Sequence, residues 1–267
     1  MRVQTRLPFE LDQRAETGFI TAHGGVPLLI EAFRTSGAAA VLDKRVVIKR
    51  RERGLRSSEL TEGLFALWAA GGERCDDLVQ LREDAALALL LGHGLPAPQT
   101  ARDFLEAFEQ AVPPLWQGER SRVPGEGERL QGLAAANRRL IAWLQERRPQ
   151  ATATIDLDAT ILDSQKRSAQ ATYDGRTGYQ PVIALWAEQD VVLADEFRDG
   201  NVPAGTGNRR VLEAALAALP SGLERIVVRA DSAAWSLPSG RRRRTRGSRA
   251  CCAGSRRPAT AMRSAPT

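Results

Sequence analysis

The sequence predicts an α/β protein: an all-helical N-terminal region followed by an incomplete core built on a mixed β-sheet. Three observations carry that prediction. Apolar residues recur at helical spacing from Gly24 to about Arg148, and immediately after Pro149 the period changes to two. Beyond that point the elements run strand, strand, strand, helix, strand. With 267 residues the chain can make one large domain or two modest ones, each able to bury a core.

In the helical region, Leu60, Leu64, Leu67 and Trp68 form one face of a helix that Ser57 or Ser58 can cap and Gly71 can end. Asp76 or Asp77 opens the next helix, carrying Leu78, Leu81, Ala85 and Leu89, and Gly92 to Pro98 breaks it. In "QTARDFLEAFEQ", Thr100 is the expected N-cap with Asp103 three residues on, followed by Phe104, Leu105 and Phe108. A Pro/Gly-rich connector, Val112 to Gly127, precedes a last helix from Leu133 to Arg148. Trp68, Trp116, Trp143 and Trp186 are expected in the core, and His23 and His93 are expected to be structural or surface residues.

In "ATATIDLDATIL" the polar Thr152, Thr154, Asp156, Asp158 and Thr160 alternate with apolar residues, which predicts a strand with two carboxylates on one face. Turn signals at Asp174-Gly175 and Thr177-Gly178 lead into two strands, Gln180 to Trp186 and Val191 to Phe197, joined at Ala187 to Asp190. An alanine-rich helix, Asn208 to Leu219, ends at Pro220 and Gly222. A last apolar strand, Arg225 to Ala230, delivers Asp231.

The net charge of +6 is local: residues 241–267 hold nine Arg and no Asp, Glu or Lys, and the first 240 residues carry 29 basic against 32 acidic side chains. A case for DNA binding by the folded part therefore rests on the cluster Lys44, Arg45, Lys49, Arg50, Arg51, Arg53 and Arg56, which can contact phosphates. Cys75, Cys251 and Cys252 make no metal or disulfide spacing. The N-terminus lacks an apolar signal core and no stretch has the length of a membrane span, so a cytoplasmic location is expected, with no membrane partner.

An acidic residue in the first strand and another after the fourth match the ribonuclease-H-like order, in which those two strands lie side by side and parallel. Convergent carboxylates suit Mg²⁺, a hard cation that prefers oxygen ligands, in phosphoryl transfer. The stretches "TAHGGVPLLIEAFRTSG", "AAGGERCDDLVQLREDAAL", "LPAPQTARDFLEAF", "IDLDAT", "YDGRTGYQPV" and "VVRADS" together resemble, in this order, bacterial insertion-sequence DDE transposases of the group called the thirteen-eighty group. The resemblance runs from about Leu7 to Ala233. It implies a ribonuclease-H-like core with an acidic triad and two Mg²⁺ ions, acting on the terminal inverted repeats of an element and on target DNA. By the same resemblance Asp158 is the first triad member and metal ligand, with Asp156 as its alternative, and Asp231 is the second.

The departures shape the rest of the expectation. Gln180 stands where the family usually has His after the Tyr of the hairpin, and no Asp or Glu follows Asp231. The tail reads as out-of-frame coding sequence and cannot form a core. The expected organisation is a helical DNA-binding region over 1–130, a partial catalytic domain over 131–235 and a disordered Arg-rich tail over 236–267. The chain is expected to be a truncated or frameshifted transposase of little activity. One alternative is a non-catalytic DNA-binding fragment that regulates a full-length transposase. A second rests on "DLDAT", which also fits the nucleophile motif of haloacid-dehalogenase-type phosphotransferases, with Asp156 as nucleophile.

Overall fold

The computed structural model describes residues 20–48, 54–203 and 205–230, and they fall into two compact units. The Arg-rich tail lies outside the described residues.

The first unit runs to Leu115 and includes Pro124–Pro149. It is helical, as the 3.6-residue periodicity requires: α1 (Val26–Thr35), α2 (Ala38–Arg45), α3 (Ser57–Ala69), a 3₁₀ turn (Cys75–Asp77), α4 (Leu78–Arg82), α5 (Ala85–Leu91), α6 (Pro98–Glu106) and α7 (Glu128–Arg147). One core gathers Ile30, Leu67, Leu78, Leu87, Leu91 and Phe104. A second joins Phe33, Leu42 and Val46 to Ala136 of α7. Gly63 of α3 allows close helix-to-loop packing, because a Cβ there would stand 2.4 Å from Cδ of Pro96.

Several element ends differ from the sequence expectation. Neither Ser57 nor Ser58 caps α3. Asp43 of α2 instead accepts from the Ser58 amide at 2.8 Å and its hydroxyl at 2.9 Å, and Glu59 accepts from the Arg56 amide at 2.8 Å. Carboxylates satisfy orphan amides there and favour the positive helix end. The single helix expected after Asp76 is divided into α4 and α5 because Asp84 starts a new one, its Oδ1 accepting from the Leu87 amide at 2.8 Å. Pro98, not Thr100, opens α6, since a proline at the first helical position has no amide to leave unsatisfied. The last helix begins at Glu128, directly after Gly127, and packs on α2. Trp68 is 56% exposed, against expectation, whereas Trp186 is fully buried.

The first unit also holds a buried ionic cluster. Glu62 takes both Nε and Nη2 of Arg34, at 2.8 and 2.6 Å, and Nε2 of His93 at 2.7 Å. Nδ1 of His93 faces the Gly94 carbonyl at 3.0 Å, so both ring nitrogens meet acceptors and the imidazolium is the form that can donate to both. Burial pushes His93 down, but the Glu62 hydrogen bond, the Gly94 carbonyl and the charges of Glu62 and Glu59 outweigh it, and its pKa lies above the ordinary 6.5. Burial likewise pushes Glu62 up, and Arg34 and His93 bring it below its ordinary 4.5.

A raised histidine stabilises the fold fully below its unfolded pKa and loses that contribution as pH rises through the folded one. A lowered glutamate stabilises fully above its unfolded pKa and loses that contribution as pH falls through the folded one. The cluster therefore contributes most between about pH 4.5 and 6.5. Denaturant midpoints of this unit should decline from pH 6.5 to 8.5, and His93→Gln should flatten that decline. An equal slope in both proteins would refute the assignment.

The second unit comprises Trp116–Val123 and the described residues from Gln150 on. Its strands are β1 (Trp116–Gln117), β2 (Arg122–Val123), β3 (Thr152–Ala159), β4 (Leu162–Asp163), β5 (Gln170–Ala171), β6 (Thr177–Tyr179), β7 (Val182–Trp186), β8 (Val191–Glu196) and β9 (Arg225–Ala230), with α8 (Asn208–Ala218) between the last two. The main sheet has the order β8-β7-β3-β9, with β3 antiparallel to β7 and parallel to β9. The expected order of strand, strand, strand, helix and strand is present in this sheet. Two small sheets, β1-β2 and β4-β6-β5, add to it.

Ala153, Ile155 and Leu157 are buried with their cross-strand partners Trp186 and Ala184, while Thr152, Thr154, Asp156 and Asp158 occupy the other face. α8 packs against β8 and β7 and buries Val211, Ala215 and Ala218. The period-two pattern thus yields the alternation it predicts. The strand ends at Ala159 rather than continuing through Ile161, because Leu162 and Asp163 pair with β6 in the small sheet.

Candidate active site

The site is built on the polar face of β3. Asp156 stands opposite Leu185 on one side and Arg229 on the other; Asp158 stands opposite Ile183. Arg229 of β9 grips Asp156 with both ends of its guanidinium, Nε on Oδ1 and Nη2 on Oδ2, each at 2.5 Å. Such a bidentate pair uses one lone pair of each carboxylate oxygen and fixes the side chain across the strands. The Asp156 hydrogen bond and charge hold Arg229 above its ordinary pKa.

Asp158, one pleat further along the same face, is exposed, and its Oδ1 accepts from the following amide, that of Ala159, at 2.9 Å. Thr154, one pleat back, donates its amide and hydroxyl to Glu188 at 2.7 and 2.5 Å. Burial pushes Glu188 up, the Thr154 donors bring it down, and the net position is below the usual carboxylate range. Of the two candidate carboxylates on β3, one is committed to a cation and the other faces outward.

The parallel ladder of β3 and β9 ends at the pair Leu157 and Ala230. The residues next in sequence are Asp158 and Asp231, and Asp231 lies outside the described residues. Residues directly opposite in an antiparallel pair share a face, so the register also puts Asp195 in one row with Asp158, across Ile183.

The family model described as the transposase DDE domain, group 1, matches residues 9–237. The chain belongs to the DDE transposase family. A search among curated proteins and one among solved structures found no match. Membership carries a transposase function, and with it action on DNA, and it displaces the phosphotransferase reading of "DLDAT". The family generally uses a divalent metal, and the donor chemistry here fits one, since Asp158 offers hard oxygen ligands to solvent. Among the described residues no three His, Cys, Asp or Glu side chains converge on one point. No helix among them is long and apolar enough to cross a membrane.

Of the transposase's expected DNA contacts, Lys44 and Arg45 are exposed at the end of α2. Arg56 is occupied by Glu59, with Nη2 to Oε1 at 2.7 Å, and lies 3.7 Å from Asp43. Lys49, Arg50, Arg51 and Arg53 lie outside the described residues. The sequence reading passed over Arg229, although its place two residues before Asp231 on a period-two strand puts it on the carboxylate side.

Proposed function

We propose that the chain is an insertion-sequence transposase of the thirteen-eighty group, with a ribonuclease-H-like catalytic domain in which Asp158 and Asp231 hold Mg²⁺ at the ends of an element. The observation that carries this reading is the parallel pairing of β3 with β9, which stops at the two residues immediately before Asp158 and Asp231. Asp158 is the better first ligand because Asp156 is clamped by Arg229, and freeing it would strip that guanidinium of its partner. When bound, Mg²⁺ supplies activation of a water or 3′-hydroxyl and charge stabilisation at the leaving oxygen. Arg229 positions the β3 end by tying Asp156 to β9, which keeps the strands that carry the two ligands in register.

Residues 232–267 hold no Asp or Glu, so a third carboxylate of a triad would have to come from outside these 267 residues. We infer that these residues by themselves cleave strands weakly. The same observation favours a second reading, a fragment that binds element ends and restrains a full-length transposase. Asp158→Ala should lower Mn²⁺ affinity about ten-fold or more, and Asp156→Asn should leave it nearly unchanged; titration calorimetry with the purified chain reads both. Equal affinity in wild type and Asp158→Ala would discard the site. Robust metal-dependent nicking of end-containing DNA, abolished by Asp158→Ala, would overturn the weak-activity inference. Metal-independent, sequence-specific binding of the terminal repeats would favour the regulator.

A further inference from the structure

A second charged cluster lies at the same end of the main sheet as Asp158, and the proposed chemistry does not use it. Glu196 closes β8 opposite Val182, which stands opposite Ala159, the residue after Asp158. At about 4.8 Å per strand, two strand spacings put its backbone roughly 10 Å from that of Ala159. The buried Glu196 carboxylate is shared by two guanidiniums: Nε of Arg198 donates to Oε1 at 2.8 Å and Nε of Arg210 to Oε2 at 3.0 Å. Nη1 of Arg198 also donates to Oδ1 of Asn208, the first residue of α8, at 3.1 Å. This guanidinium, 2% exposed, therefore sits at the helix start. Among the described residues, Nη2 of Arg198 and Nη2 of Arg210 are both buried and meet no acceptor.

The charges do not balance. Two cations share one carboxylate at the end of an 11-residue helix where the backbone dipole is already positive. The helix start has no side-chain cap, and its N-cap residue, Gly207, has φ 73°. A Cβ at Gly207 would stand 2.2 Å from Nη2 of Arg210, so the glycine is what lets that guanidinium lie across the helix end. Burial pushes Arg198 below its ordinary pKa, more than Glu196 restores, and Arg210 pushes the same way. The positive end of a helix with adjacent guanidiniums is suited to phosphate.

We propose that the N-terminal end of α8, with Arg210 and Arg198, is a phosphate site that takes a DNA backbone phosphodiester at the Asp158 end of the sheet, on the face that α8 covers and not the one that carries Asp158, an inference that rests on the DNA-processing reading above. Arg210 is the point of entry, because its side chain is 39% exposed while Arg198 is enclosed. Turning away from Glu196, Arg210 presents its guanidinium to the phosphate at the positive end of the α8 dipole. Arg198 keeps Glu196, and the carboxylate is then matched by a single cation.

The test uses the full chain, a random-sequence DNA duplex and inorganic phosphate. Arg210→Ala should reduce the slope of log affinity for the duplex against log salt by about 0.9, one phosphate contact. It should also abolish the rise in melting temperature that inorganic phosphate gives the wild type. Arg210→Lys should restore part of the slope. Should Arg210→Ala fail to fold, titrating phosphate into the wild type must still shift the Nε–Hε resonances of Arg210 and Arg198. An unchanged salt slope and phosphate response in Arg210→Ala, or unmoved resonances, overturns the site. A phosphate response through Arg210 in a chain that binds no duplex leaves the anion site standing and sinks the DNA reading.

Discussion

Glu62→Ala should destabilise the helical unit by about 3–5 kcal/mol, the usual cost of removing one partner from a buried ion pair. Arg34 and Glu62 are 8% and 2% exposed at their side chains, and a bidentate pair in that setting has no water to replace the missing carboxylate. Among the described residues, Arg34 would keep the Leu91 carbonyl at 2.8 Å as its acceptor. His93 would lose the partner of its Nε2 at the same time. The contacts link α1, α3 and the residues that end α5, so the loss falls on helix packing and not on one turn. Urea titration followed by the helical circular dichroism signal measures the change. A shift under about 1 kcal/mol would place the triad among surface pairs, whose contribution is that small. Glu62→Gln should be nearly as costly, because the amide keeps the shape but leaves the guanidinium uncompensated.

Period and turn chemistry made much of this fold legible. The strand that starts at Thr152, the helix from Asn208 and the strand Arg225–Ala230 stand where the alternation and the breakers put them. Those signals are local: a strand with one buried face declares itself over eight residues, and a proline or glycine ends an element wherever it stands. The misses come from partners far away in sequence. Asp43 caps α3 from 15 residues off, and Asp84 divides an apolar run that reads as one helix.

The candidate site was legible to a similar depth. The residue types and their spacing singled out Asp156, Asp158 and Asp231, but could not separate Asp156 from Asp158, since both share a face. The contact on which the proposal prefers Asp158 is that of Asp156 with Arg229, 73 residues on, and it depends on the parallel register of two strands. Glu196, Arg198 and Arg210 were missed for the same reason. A glutamate that ends a strand reads as surface until the next helix folds its own arginine back over it.

Trp186→Ala should cost about 3–5 kcal/mol and act on the other unit. Trp186 is fully buried on β7, opposite Ile155 of β3 and Val191 of β8, and its Nε1 donates to the Thr152 carbonyl at 3.3 Å. Truncation leaves a cavity under the strand that carries Asp156 and Asp158, and the aligned strands cannot close over it without breaking ladder hydrogen bonds. Trp186→Phe keeps most of the apolar volume and gives up the indole donor, so about 1–2 kcal/mol is expected, the net worth of a hydrogen bond plus a smaller void. Tryptophan fluorescence is a poor probe for these variants, because the indole itself is removed. Amide hydrogen exchange of β3 and β7 reads the loss directly. Because the helical unit has its own core, its exchange rates should stay near wild type while those of the sheet rise. Uniform acceleration in both units would mean that they unfold as one.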